Sequence, residues 1–282
     1  GQPLPVVASF SILQDLTRQV GGDRVSVSAL VGPDGDAHVF EPTPQQARQL
    51  QQAKVLVANG LDFEGWLPRL KKASGFQGQE IVASQGIAVR SLPKGQGHDH
   101  GHDHGAGKEG HDHDHDHDHG HGHHHGPNDP HAWQDVKNAI VYVRNIAKGL
   151  AKADPANAAQ YDKQATQYIA RLTALDASLR QRFAALPAER RSVVSTHDAF
   201  GYFAQAYGLR FVPVRGLSTE SEPSARDLAA LVKQVREERI GAIFLENISD
   251  PRLLEQLARE TGAAIGGRLY SDALSPDGDP AS

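Results

Sequence analysis

The chain has 282 residues, 39% of them hydrophobic, and 29 Lys and Arg stand against 34 Asp and Glu for a formal net charge of −5. That length predicts two lobes with a substantial core, the negative balance excludes the basic footprint of a nucleic-acid binder, and the lack of any apolar run of about 18 residues excludes a membrane-spanning helix. There is no cysteine, which excludes disulfides, thiolate metal sites and cysteine nucleophiles, so a transition-metal site must draw on His and carboxylates.

In chain order, residues 6–9 read as a strand, 12–20 as a helix stopped by Gly21 and Gly22, 25–31 as a strand, 43–53 as a helix, 55–58 as a strand, 63–73 as a helix and 81–83 as a strand. Such alternation predicts a parallel sheet with helices packed on it. After a low-complexity segment, apolar positions at Val136, Ile140, Val143, Ala147 and Leu150 mark another helix. The clearest helix follows, with apolar or aromatic residues at Tyr161, Ala165, Tyr168, Leu172, Leu175, Leu179, Phe183 and Leu186 in steps of three or four. Asp154 is placed to cap it, Pro155 suits its first turn and Pro187 stops it. Over 155–186 it would run about 48 Å, a strut rather than a flexible linker. Without sustained flanking charge pairs it reads as a surface helix rather than a dimer seam, and a monomer is expected. The same grammar then repeats: strand 192–196, helix 199–207, strand 211–214, helix 224–238, strand 242–245, helix 251–261 and strand 264–266. The expected fold class is α/β, two lobes each with a mostly parallel sheet flanked by helices and joined by a long rigid helix. Residues 1–153 form the N-terminal lobe, 154–187 the inter-lobe helix and 188–282 the C-terminal lobe in this partition.

Histidine is distributed very unevenly. Thirteen of the 16 lie within residues 98–125, which also hold six Asp, one Glu and one Lys. The rest of the chain is therefore close to neutral, and it has only His38, His131 and His197. The segment 95–126 has almost no apolar residue, cannot bury a core and is expected to be disordered without a ligand. Its imidazoles, among them His111, His113, His115, His117, His119, His121, His123, His124 and His125, suit loose binding of several borderline metal ions. Its internal position and His-Asp alternation argue against a purification tag.

The three remaining histidines all fall in loops. His38 follows strand 25–31, His197 directly follows strand 192–196, and His131 precedes the helix marked by Val136. Ligands of open α/β sheets bind beyond the carboxyl ends of strands, where His38 and His197 are placed. With Cys absent, a fourth ligand should be a carboxylate. Asp272, after the last strand, is the candidate, with Glu41, Glu220, Glu222 and Glu246 behind it. Three imidazoles and one carboxylate favour tetrahedral Zn2+ over hard cations that prefer more oxygens.

Short motifs along most of the chain carry a resemblance. They are Ser9-Phe10, His38-Val39-Phe40-Glu41-Pro42-Thr43-Pro44, Ala58-Asn59-Gly60 with Glu64 and Trp66, Asp129-Pro130-His131-Ala132-Trp133, Thr196-His197-Asp198-Ala199-Phe200-Gly201-Tyr202-Phe203, Glu220-Ser221-Glu222-Pro223-Ser224 and Ser271-Asp272-Ala273-Leu274-Ser275. With the internal His-rich loop and the long helix, their order resembles the zinc-binding solute-binding proteins of bacterial ABC transporters, the ZnuA-like branch of the cluster A-I metal receptors. The resemblance implies a receptor holding one metal ion between two lobes, with His38, His131, His197 and Asp272 as ligands. In manganese-selective relatives the third ligand position is typically acidic, so His197 supports zinc. The implied partners are the membrane permease of an ABC zinc importer and a periplasmic metallochaperone. The implied location is the periplasm, and a start at Gly1-Gln2-Pro3 without Met suits a removed leader. Family members usually continue for a further helix beyond the Asp-containing loop, whereas this sequence stops at Ser282.

Two other functions remain open. A zinc hydrolase would use three histidines with an open fourth position and Glu41 or Glu222 as acid or base, although no His-Glu-x-x-His helix is present. A metal buffer would act through the His-rich segment alone. The resemblance favours a non-enzymatic receptor.

Overall fold

The structure, a computed structural model, describes residues 1–33, 35–37, 39–91, 128–195, 199–214, 223–245, 250–266 and 269. The first lobe is built from β1 (Leu4–Phe10), α1 (Ser11–Gly21), β2 (Val25–Val31), α2 (Pro44–Gln52), β3 (Val55–Ala58), α3 (Leu67–Ser74) and β4 (Gln79–Val82). All strand pairings are parallel and the order is β2-β1-β3-β4. Alternation along β1 and β3 sends residues to opposite faces. Val6, Ala8, Phe10, Val55 and Val57 pack toward α1 and α4 (Val136–Ala153), while Val7, Leu56 and Ala58 meet Leu50 of α2 and Leu67 and Leu70 of α3.

The second lobe repeats this plan with β5 (Ser192–Ser195), α6 (Gly201–Tyr207), β6 (Arg210–Pro213), α7 (Ala225–Glu237), β7 (Ala242–Phe244), α8 (Pro251–Thr261) and β8 (Ala264–Gly266), in parallel order β6-β5-β7-β8. Val194 and Ile243 are covered by Leu231, Val232 and Val235 of α7 and Leu257 of α8. In both sheets the first strand of the lobe neighbours the second on one side and the third on the other. The strand order therefore reverses beside β1 in one lobe and β5 in the other, and ligands of such sheets sit beyond the carboxyl ends at that reversal.

Between the lobes α5 (Ala158–Ala184) runs 27 residues, about 40 Å at 1.5 Å per residue. Its regular part starts later than the sequence suggests, because Pro155–Asn157 form a 3-10 turn. Tyr161, Ala165 and Leu172 are buried as the stripe predicts, but Leu175 is 47% exposed, and Asp176 is buried instead. The second sheet meets α5 across a cavity of about 1090 Å³ bordered by Leu175, Leu179, Phe183, Val193, Phe211 and Phe244. Leu175 faces that space rather than a packed neighbour.

Two helix starts show how local chemistry sets the boundaries. Thr43 and Gln46 form a reciprocal capping box at α2, and Ser224 and Asp227 do the same at α7. The helix expected over 63–73 begins only at Leu67. Leu61 and Asp62 take left-handed backbone angles, and the Glu64 carboxylate accepts the backbone N–H groups of Asn59 and Gly60, so this stretch folds as a turn around a side chain.

At the α4–α5 corner, the Asp154 carboxylate accepts the Tyr161 hydroxyl at 2.6 Å and the Asn157 amide at 2.8 Å, and these bonds hold it below the usual carboxylate range. A lowered folded value means that the stabilisation exists above the unfolded value and is lost as pH falls through the folded one. Asp154→Asn is therefore expected to cost about 0.5–1 kcal/mol at neutral pH at this partly exposed corner. The gap from wild type should close as pH drops below about 4, which urea unfolding across that range measures. A gap independent of pH would contradict the assignment.

Candidate metal centre

Of the expected ligands, His131 lies within the described residues. His38, His197 and Asp272 lie outside them, as do the His-rich segment and Glu220, Glu222 and Glu246. Among the described residues no group of three His, Asp or Glu stands close enough to hold a metal.

His131 is buried at 6% exposure, between β4 and α4 in the chain. Its Nδ1 lies 2.7 Å from Asp129 Oδ1, and that same oxygen accepts the His131 backbone N–H. A carboxylate only accepts, so Nδ1 carries the proton and Nε2 is the nitrogen suited to a metal, the usual arrangement when a carboxylate backs a ligating imidazole. Phe63 and Trp133 pack edge-on against the imidazole, with centroids 6.1 and 5.5 Å away, and Phe10 packs on both. This aromatic box fixes the ring plane.

The other Asp129 oxygen pairs with Arg90 Nη1 at 3.0 Å. Burial alone would raise the Asp129 carboxyl, but hydrogen bonds from the His131 side chain and backbone and the bond from Arg90 hold it below its ordinary value. The carboxylate is thus ionised and pinned on both oxygens.

The backbone around it is held with equal care. Asn59, fully buried directly after β3, donates Nδ2 to the Pro130 carbonyl at 2.9 Å. Its own Oδ1 accepts the Tyr142 hydroxyl from α4 at 2.5 Å. Because β3 ends beside the strand-order reversal of the first sheet, Asn59 seats the 129–131 strap over the place where such sheets bind ligands. Glu64 completes this buried corner, and burial raises its carboxyl, with hydrogen bonds from Ser9, Asn59 and Gly60 opposing the shift. Ser91 and Asn128 form an antiparallel bridge, and the Asp129 N–H donates to the Arg90 carbonyl at 2.8 Å, so both ends of the 92–127 insertion are joined three residues before His131.

The flanks of His38 are fixed by Trp66, whose Nε1 donates to the Ala37 carbonyl at 2.7 Å and whose ring meets Phe40 edge-on at 4.7 Å. Ala37 is fully buried, and Val39 on the other side is 56% exposed. The residues around His38 thus pass from the core to the surface. β5, which ends at Ser195, is the strand at which the order of the second sheet reverses.

Sequence reading identified His131 but not its supports. Asn59, Glu64 and Trp66 entered only as motif letters, and Asp129 only as a neighbour. Asn59 and Trp66 bond to carbonyls 71 and 29 residues away, and the local bonds of Glu64 and Asp129 follow no helix or strand periodicity.

Removing Asn59 leaves the Pro130 carbonyl and the Tyr142 hydroxyl buried without partners. Asn59→Ala is expected to cost about 2–4 kcal/mol, one desolvation penalty for each group, read by urea unfolding. A loss no larger than that of an exposed Asn would contradict this role.

The profile of the family described as zinc-uptake complex component A, periplasmic, matches residues 6–282. The iron-binding protein YfeA of Yersinia pestis is 30% identical over 275 residues, covering 98% of this chain and 79% of its own. The Mn-bound periplasmic metal binding protein of Candidatus Liberibacter asiaticus is similar in structure with a TM-score of 0.71 and 26% identity, over 98% of this chain and 92% of that one. Zn(II)-bound AdcA of Streptococcus pneumoniae gives a TM-score of 0.75 at 27% identity, over 98% of this chain and 53% of that one.

Proposed function

The chain belongs to the family of periplasmic zinc-uptake components and is a metal ABC transporter substrate-binding protein with a membrane permease as its partner, and from that premise we propose that its cargo is Zn2+. In this reading His38, His131, His197 and Asp272 bind one zinc ion between the lobes defined by 1–153 and 188–282, with 154–187 as the connecting strut. The observation that carries it is the buried His131 imidazole with Nδ1 committed to Asp129, which leaves Nε2 as the metal-binding nitrogen.

The donor set decides the metal. Imidazole suits zinc and its borderline neighbours, whereas manganese favours oxygen-rich sites. Relatives of this fold are described as binding iron, manganese and zinc. His197, where manganese-selective relatives typically have an acidic residue, supports zinc. A filled fourth position at Asp272 leaves no metal-bound water for hydrolysis. The His-Asp segment, including His111, His113, His115, His117, His119, His121, His123, His124 and His125, collects further ions loosely near the strap. The receptor works as a monomer in the periplasm after removal of its leader, and a periplasmic metallochaperone is an upstream donor consistent with this role.

Binding residues from both lobes lets metal stabilise the fold by mass action. Ligation needs neutral imidazole, so affinity for Zn2+ should fall as pH drops through about 6.5. Competition with a chromophoric chelator between about pH 7.5 and about pH 5 measures this, and an unchanged affinity would contradict imidazole ligation.

Deleting residues 98–125 separates the cleft from the His-rich segment. The shortened chain is expected to retain one tightly bound zinc and to bind Mn2+ more weakly, while additional weak sites disappear. Metal content after dialysis and titration of both ions reads the result. Loss of all tight binding would make the His-rich segment the functional site, and zinc-dependent hydrolysis abolished by His38→Ala would make the protein an enzyme.

A further inference from the structure

We propose that Tyr202 is a positioning residue for His131, through which the second lobe becomes part of that ligand's support. This rests on the reading of His131 as a metal ligand. The Tyr202 hydroxyl accepts the Arg90 backbone N–H at 2.9 Å and donates to the Asp129 backbone carbonyl at 2.8 Å. One phenol thus ties together the two chain segments that bracket the 92–127 insertion. A phenol can donate and accept at once, and phenylalanine would leave both backbone groups without their partner.

The contact reaches the ligand in one step. Asp129 Oδ1 takes both the backbone N–H and Nδ1 of His131, and its Oδ2 takes Arg90 Nη1. Tyr202 holds the backbone of this carboxylate's own residue. A shift of the Asp129 main chain therefore turns the His131 ring, and an outer partner that orients a ligand is worth roughly 10–100-fold in metal affinity. Gly201 adds a steric requirement. A Cβ at that position would lie 2.0 Å from Arg90 Nη1, so the start of α6 is flush against the guanidinium that pairs with Asp129.

Helix α6 follows β5 in the second lobe, yet Tyr202 and Tyr207 pack into the hydrophobic cluster of the first lobe. The core of the second lobe is built instead around Val194, Leu231 and Ile243. The helix is anchored a second time, independently of Tyr202. Tyr207 donates to Asp176 at 2.9 Å, and Arg180 donates to the Ala206 carbonyl at 2.8 Å. Loss of the Tyr202 hydroxyl thus leaves α6 docked and removes only its grip on Arg90 and Asp129. Any partner that draws α6 away from the strap loosens His131 in the same movement, which couples lobe apposition to metal retention.

The test compares the full chain with Tyr202→Phe, Tyr207→Phe and His131→Ala. Zn2+ affinity is measured by chelator competition, the ligand field by visible absorption of bound Co2+, and stability by thermal unfolding. Tyr202→Phe should weaken Zn2+ binding about tenfold or more and alter the Co2+ bands. Tyr207→Phe should lower the unfolding temperature and leave affinity and Co2+ bands unchanged. Wild-type affinity and bands in Tyr202→Phe would overturn the proposal, as would Tyr207→Phe reproducing its losses, which would assign them to helix docking in general. Tight Zn2+ retained by His131→Ala would overturn the ligand reading itself. If Tyr202→Phe does not fold, Gly201→Ala, which keeps the hydroxyl but displaces the Arg90 guanidinium, must show the same loss and band change or the proposal fails.

Discussion

A carboxylate buried as deeply as Asp129, at 2% exposure, has to be matched by donors on every side. The surrounding structure supplies them, His131 on one oxygen and Arg90 on the other, while the residue's own N–H donates to the Arg90 carbonyl and its own carbonyl accepts the Tyr202 hydroxyl. These partners come from the strap itself, from the chain after β4 and from α6 beyond the long helix. The His131 imidazole is therefore oriented by the same bonds that close the insertion and bring the second lobe against the first. Asn59 and Glu64 extend the network into the first sheet, so the strap is referred to the most buried strands of the molecule.

Much of the fold was legible in the sequence because its signals are local. Alternating apolar runs located the eight strands of the described residues to within a few residues, and the helix starts expected at Thr43 and Ser224 are capping boxes, whereas Asp154 makes no capping bond and instead holds Tyr161 and Asn157. The failures have tertiary causes. Residues 63–66 do not join α3, because the Glu64 carboxylate takes the backbone N–H groups of Asn59 and Gly60 and folds this stretch as a turn. Leu175 continues a helical stripe whose burial depends on what stands opposite, and the second sheet stands away from it. At the site, rarity of histidine outside one segment was enough to single out His131. The roles of Asn59, Trp66 and Tyr202 were invisible because each depends on a backbone carbonyl 29 to 73 residues away, and carbonyls leave no mark in a sequence.

Relatives sharing this architecture are described as holding iron, manganese or zinc, so the scaffold itself does not choose the cargo. Choice falls to the few side chains at the strand ends, and to how stiffly they are held. A borderline, rigidly backed imidazole favours zinc over manganese, while exchange of one imidazole for a carboxylate moves a site toward harder ions.

The central claim is that zinc is held by three imidazoles and one carboxylate of the body. X-ray absorption at the zinc edge tests it most directly, using the chain with residues 98–125 deleted and loaded with one equivalent of metal. The account predicts four light-atom ligands at about 2.0–2.1 Å, with the outer-shell scattering of three imidazoles. A six-coordinate oxygen shell, or outer-shell scattering from fewer than two imidazoles, would contradict it.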